Sequence, residues 1–214
     1  MKEFLSLDGF SISITQTAIL IVAIAFISHW LLEKRKQSLY VAIIAMMIFI
    51  SLRSMSFWQA YTQKKIVVYN VPKHLAIDLI AGRAYNFVGD SDLLTDDFIR
   101  NFHLQPSRVA HRIQSNQIIP VSTKEFTFCN KRMMIIDSTT RLIKAIEKPL
   151  IDILILSKNP KIYISNLTSA FTINTVVIDG SVPMWKAKLW KKDCDSLKIP
   201  CYNVSEQGAF VMNL

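Results

Sequence analysis

Two apolar stretches stand near the head of the chain, residues 15–32 and 39–52, separated by the cationic link Glu33, Lys34, Arg35, Lys36, Gln37 and Ser38. A membrane span needs about 17 to 25 mostly apolar residues at 1.5 Å each. The first stretch meets that length, with His29 near its end as its ionisable group. The second has only fourteen residues to Leu52, which fits a buried or interfacial helix equally well, unless it continues through Arg53 to Trp58. In that case Arg53 snorkels while Phe57 and Trp58 sit at the membrane interface. Six polar residues can turn between antiparallel helices but cannot form a domain, so the pattern predicts a transmembrane helical hairpin over residues 1–58. A secretory leader fits poorly. The apolar run starts late, Lys2 is the single basic residue before it, and no small-residue cleavage site precedes a polar start.

Beyond residue 58 the pattern changes to short β-branched runs. Residues 65–70, 74–81 and 84–89 read as consecutive strands, the last two joined by a tight turn at Gly82 and Arg83. Residues 93–104 space Leu93, Leu94, Phe98, Ile99 and Phe102 by mixed threes and fours behind Asp96 and Asp97, which predicts a helix. Residues 126–129 and 133–137 predict another hairpin around Asn130, Lys131 and Arg132, while Pro106 and Pro120 bracket a middle without a clear pattern. Residues 151–156 and 175–178 are nearly continuous apolar runs, as expected of strands buried on both faces. A helical connection around residues 167–171 lies between them. Residues 185–197 predict a helix with Trp185, Leu189 and Lys192 on one line and Trp190 and Leu197 nearby, before Pro200 forces an extended chain. Residues 201–204 and 209–212 close the chain as two short strands around Gly208. The order predicts a layered α/β domain over residues 59–214, because about 155 residues can bury one real core.

Charge adds a class of partner. The chain is net +9, and residues 1–58 carry five Lys or Arg against three acids, which leaves twenty against thirteen, net +7, for residues 59–214. Such a field favours anionic partners, nucleic acid or lipid headgroups, although a solvated cationic surface explains the same balance. Lys186, Lys188, Lys191 and Lys192 share the predicted helix with Trp185 and Trp190, with Lys158 and Lys161 earlier in the chain. Phosphate attraction plus base stacking is how single strands are held without sequence reading. A tryptophan buried against the sheet with its lysines in water accounts for the same residues.

Other chemistry is sparse. Cys129, Cys194 and Cys201 form neither a metal-type CxxC pair nor a disulfide framework, and Cys194 with Cys201 can pair outside the cytoplasm only where geometry allows. Asp90, Asp92, Asp96 and Asp97 lack the glycine and terminal glutamate of an EF-hand loop and read as helix N-terminal charges. Asp179, Gly180 and Ser181 follow a buried strand, where loops often line a site in α/β sheets and where plain turns also fall. There is no Gly-rich phosphate loop and no nucleophile elbow.

The order of these runs resembles a known family. Residues 66–70, a strand carrying Ala76 and Ile77, then Gly82 and a strand ending Val88, Gly89, Asp90 are similar to the opening of the metallo-β-lactamase-like domain of ComEC competence proteins. Ile151, Asp152, Ile153, Leu154, Ile155 and Leu156 resemble the family strand that leads into its histidine pair. Val176, Val177, Ile178, a helix, Ile199, Pro200, Cys201, Tyr202, and then Gly208, Ala209, Phe210 resemble its close. The resemblance covers nearly the whole chain as the family's C-terminal end, and the multi-helix region expected before it lies outside this sequence.

The resemblance implies an α/β fold in which the helical hairpin is followed by a metallo-β-lactamase-like αββα sandwich. An active member holds two divalent metals through an HxHxDH cluster and further His and Asp ligands. Nothing here matches. His29, His74, His103 and His111 are scattered, and Ser157, Lys158, Asn159 and Pro160 stand where the family has its His-His-Gly-Ser turn. Lysine brings charge and no ligand under ordinary conditions. The expectation is therefore a membrane-anchored module with no catalytic residue, no metal and no cofactor, which assists DNA binding or transport. Its expected partners are membrane lipid, single-stranded DNA and other subunits of a DNA-uptake channel. Two alternatives stay open, an active metal-dependent hydrolase or nuclease with atypical ligands and a membrane-tethered protein-interaction domain. For topology, the positive-inside rule weighs Lys34, Arg35 and Lys36 against Lys2, Arg53, Lys64 and Lys65. The resemblance implies an inner-membrane, multi-pass chain with an extracytoplasmic C-terminal domain.

Overall fold

A computed structural model describes residues 13–120, 124–140 and 148–214. It begins with two long antiparallel helices, α1 (Ile14–Glu33) and α2 (Lys36–Thr62). The predicted six-residue link shrinks to Lys34 and Arg35, because Lys34 adopts the left-handed conformation (φ 52°) and its N–H closes on the Trp30 carbonyl at 2.7 Å. α2 does run on through Arg53, and it continues past Trp58 to Thr62. Ala23, Ala42 and Ala45 are buried in this pair, where small side chains let backbones approach, and the buried Gln16 amide donates to the Leu52 carbonyl. Ile21, Ile24, Leu31, Ile44, Met47 and Ile50 are instead exposed. Both helices are long and apolar enough to cross a membrane, and a water-soluble bundle would bury such faces.

The remainder folds as two five-stranded sheets packed face to face. In the first, β1 (Lys64–Val68) pairs antiparallel with β2 (Ala76–Ala81), which forms a hairpin with β3 (Ala84–Gly89) through Gly82 (φ 62°) and Arg83. A strand from the patternless middle, β4 (Gln114–Pro120), adds parallel to β3. In the second, the hairpin β5 (Glu125–Phe128) and β6 (Lys131–Ile136) turns on Cys129 and Asn130 alone, both at positive φ as a two-residue turn requires. β7 (Leu150–Leu156), β8 (Thr172–Ile178) and β9 (Cys201–Asn203) follow, all parallel to β6. The two expected closing strands form on either side of Gly208 but do not pair with each other. A helical turn intervenes, and β10 (Phe210–Asn213) crosses to the first sheet, antiparallel to β1.

Alternation explains the layers. Ile66, Val68, Ile77, Leu79 and Val88 of one sheet meet Met133, Ile135, Ile153, Ile155 and Val177 of the other in the central core. Leu154, Leu156, Val176 and Ile178 point the opposite way, onto α6 (Ile164–Ala170) and α7 (Met184–Ser196). Val67, Ile80, Tyr85 and Phe87 form the third layer with Leu93, Leu104 and Ile113. The predicted 93–104 helix is broken into α3 (Asp92–Thr95) and α4 (Asp97–Ile99), because the Asp96 carboxylate caps the N–H groups of Phe98 and Ile99. A π-helical stretch, Arg100–Leu104, then leads into α5 (Gln105–His111), with Pro106 tolerated in its first turn. The architecture is the expected α/β one, a helical hairpin followed by an αββα sandwich.

Candidate functional site at the rim of the sandwich

Four parallel strands, β6 to β9, end at one rim, the edge where α/β sheets gather polar groups. There the chain places Asp137, Ser157 with Lys158, Asp179, and Asn203, all largely buried except Lys158. Lys158 and Asn159 both have positive φ, a tight turn that aims the lysine across the rim. Asp90, just past β3 of the other sheet, receives it. The Lys158 ammonium lies 2.5 Å from one Asp90 oxygen, while the other faces His74 Nδ1 at 3.5 Å and accepts from the Leu75 N–H at 3.2 Å. Asp90 thus leaves the acidic cluster of its sequence neighbours, of which Asp96 caps a helix and Asp97 pairs with Arg100.

Behind this pair lies a buried hydroxyl and carboxyl relay. Ser181 Oγ donates to Asp179 at 2.5 Å, accepts from the Lys158 N–H at 2.7 Å and sits 3.2 Å from Ser157 Oγ. Burial raises the Asp179 pKa to about 6, against the lowering hydrogen bonds from Ser181 and Ser157 and with help from the charge of Asp90. Asp137 behaves oppositely. Burial disfavours its charge, but the Lys124 ammonium and three bonds from Thr139 and Thr140 outweigh that and hold it below the usual carboxylate range. Gly180 is needed where it stands, since a Cβ there would fall 2.6 Å from Asn70 Oδ1 and 2.9 Å from the Val71 nitrogen.

The resemblance implies two divalent metals near the turn after β7. The donors present do not fit such a centre. Among the described residues no group of three or more His, Cys, Asp or Glu converges, and Asp90 already holds an ammonium where a cation would bind. The sequence sets Asp179 and Ser181 in one loop after a buried strand, but no local signal joins them to Lys158 or to Asp90.

The expected DNA-facing residues are divided by the fold. Trp190 is core: it is 2% exposed, and its indole N–H donates to the Ile162 carbonyl. The buried face of α7 is Ala187, Trp190 and Cys194, so Trp185 and Leu189 point to solvent. Lys186 lies 4.8 Å over the Trp190 ring and donates to Asn159 Oδ1 and the Pro160 carbonyl. Burial and then the neighbouring charge of Lys161 lower its pKa. Lys188 and Lys191 approach Glu206 at 4.0 and 3.6 Å, and Lys192 is exposed. Lys158, bound to Asp90, belongs to the rim and not to this face. Cys194 and Cys201 are free thiols sharing a hydrogen bond, which raises the pKa of the first and lowers that of the second.

A second buried charge lies under α5. Asp78 takes both ends of the Arg108 guanidinium, at 2.9 and 3.1 Å, and accepts from Tyr69 Oη at 2.8 Å, while Arg108 packs 4.3 Å over the Tyr85 ring. Bidentate geometry and a stacked ring suit a structural clamp.

No curated protein and no solved structure matches the chain. A family model does, the one described as the ComEC C-terminal domain, over residues 66–214. That span runs from β1 to the last residue and takes in both sheets, the rim and the clamp, so the chain belongs to the ComEC C-terminal domain family.

Proposed function

We propose that this chain is a membrane-anchored, non-catalytic module of a DNA-uptake apparatus, with α1 and α2 crossing the inner membrane and the sandwich facing outward. The observation that carries the non-catalytic part is the Lys158 ammonium seated on Asp90 at 2.5 Å. An internal cation neutralises the carboxylate, and the single nearby imidazole, His74, cannot complete a two-metal set. The test is metal content and phosphodiesterase activity of the full chain purified in detergent. Less than about 0.1 zinc or manganese per chain and no cleavage of single- or double-stranded DNA are expected. Stoichiometric metal with turnover would overturn the reading in favour of an atypical hydrolase.

The DNA-handling part rests on family membership and on the basic surface, now reduced to the exposed Trp185 with Lys161, Lys186, Lys188, Lys191 and Lys192. An exposed aromatic ring among cationic groups suits single strands, with other subunits completing the passage. Filter retention of a single-stranded oligonucleotide by the full chain should fall steeply with salt and weaken in Trp185→Ala. Retention absent at low salt, with a protein partner instead copurifying, would transfer the role to protein interaction. Sidedness is read at the exposed Cys129. An impermeant maleimide should label it in cells whose outer barrier is opened, and labelling only after lysis would place the domain in the cytoplasm.

A further inference from the structure

The two helices differ in length, and the difference has a place. From the shared turn at Lys34 and Arg35, the 20 residues of α1 rise about 30 Å and the 27 of α2 about 40 Å. The first distance is the thickness of a bilayer's hydrocarbon core. The last two turns of α2, residues 56–62, therefore stand about 10 Å beyond it, in the headgroup layer. A cavity of about 570 Å³ opens at this level, where the hairpin meets the sandwich. Gln16, Ser56 and Gln59 line it from the helices, and Lys65, His111 and Arg112 from the domain. Its described lining contains no acid, and the volume is within the roughly 300–1,000 Å³ of small-ligand sites.

The cationic groups around it are held in place. Gln63 donates to the Gly82 and His111 carbonyls at 2.9 and 2.7 Å, tying the end of α2 to the β2–β3 turn and to α5. The Phe57 ring lies 4.9 Å from the Arg53 guanidinium and 4.8 Å from that of Arg112. Arg83 stacks 5.5 Å over Tyr61. Burial and then the charges of Arg53 and Arg83 lower the Arg112 pKa, and burial and then Lys65 lower that of His111. Positive groups thus gather at one edge of the cavity, with the Lys65 ammonium 3.2 Å from His111 Nδ1.

We propose that this cavity is a docking site for the phosphate of an anionic phospholipid headgroup, gripped by Lys65 and Arg112 with Ser56 and Gln59 as further donors. A lipid is the occupant because the cavity lies at headgroup depth, while the exposed apolar faces of α1 and α2 run away from it on the hydrocarbon side, where acyl chains lie. Guanidinium and ammonium groups close to a bilayer surface are suited to this task. The lipid would fix the sandwich against the membrane at a set height and tilt. The inference rests on the membrane-spanning reading above.

The test is native mass spectrometry of the full chain released from detergent containing equal phosphatidylglycerol and phosphatidylcholine. One phosphatidylglycerol should persist under activation that strips phosphatidylcholine. Its apparent affinity should fall about 25-fold in Lys65→Gln/Arg112→Gln, at roughly a fivefold loss for each charge removed, and stay unchanged in Lys73→Gln, an exposed lysine away from the cavity lining. If the double variant fails to fold, Lys65→Gln alone should show about a fivefold loss. Equal retention of the two lipids, or unchanged phosphatidylglycerol binding in the Lys65 variant, would overturn the site. Displacement of the lipid by millimolar inorganic phosphate or by an oligonucleotide would overturn the lipid assignment. Alkaline carbonate extraction separates the two readings. A chain that leaves the membrane refutes the spanning helices, whereas a retained chain without lipid preference refutes only the headgroup site.

Discussion

Replacing Asp179 by Asn should change how stability depends on pH. Asp179 is completely buried after β8, with one carboxylate oxygen bonded to the Ser181 N–H and hydroxyl and the other without a hydrogen-bond partner among the described residues. Its pKa rises from 3.8 to about 6, first because of burial. The native state thus holds this proton more tightly than the unfolded chain. The resulting stabilisation is complete below pH 3.8 and is lost as pH climbs through 6. At 1.36 kcal/mol per pH unit the whole loss is about 3 kcal/mol, of which about 2.4 falls between pH 4 and pH 7. Asn keeps the acceptor for Ser181 but cannot titrate. It also buries an amide N–H without an acceptor, a cost of about 1–3 kcal/mol that is the same at every pH. The variant's stability relative to the parent should therefore rise by about 2 kcal/mol from pH 4 to pH 7, whatever its constant offset. Urea unfolding of the full chain in a mild detergent, followed through the buried Trp190, measures that difference. All other titrating groups are common to both proteins and cancel. A difference that stays flat over this range would refute the argument that Asp179 folds as the acid.

Two further outcomes follow from the packing. Arg108→Met strands the buried Asp78 carboxylate with Tyr69 as its remaining strong partner and should cost about 3–5 kcal/mol, whereas Asp78→Leu/Arg108→Met should recover most of it. Urea midpoints of the three chains decide this, and a single variant within about 1 kcal/mol of the parent would deny the clamp. Gly89→Ala places a Cβ 2.4 Å from the Leu75 carbonyl oxygen and 2.6 Å from the Phe87 ring. A loss of about 1–3 kcal/mol is expected, seen as a lower unfolding temperature, and an unchanged one would show that the β2–β3 pairing yields easily.

Much of this chain is written locally. The apolar runs of residues 15–32 and 151–156 specify helices fit for a membrane and a strand buried on both faces, because length and the identity of successive side chains already state which surfaces avoid water. Gly82 marks its hairpin, and Pro200 ends the approach to β9, through backbone geometry carried by single residues. β4 is not legible in the sequence, because Gln114, Ser115, Asn116 and Gln117 carry no alternation and its strand character comes from the ladder offered by β3. Residues 93–104 show helical spacing, yet the cap formed by Asp96 cuts the helix there. The closing segments reveal the limit most clearly. Alternation says that Tyr202 and Phe210 belong to strands, but not that β9 joins β8 and β10 joins β1 in the opposite sheet. The rim has the same origin. Lys158 and Asp90 lie 68 positions apart, and their ion pair forms because the strands ahead of them end side by side in two facing sheets. A residue pattern encodes which face turns inward through the periodicity of one strand, whereas the identity of its neighbours depends on contacts between distant segments whose loop closure must be offset by the completed core.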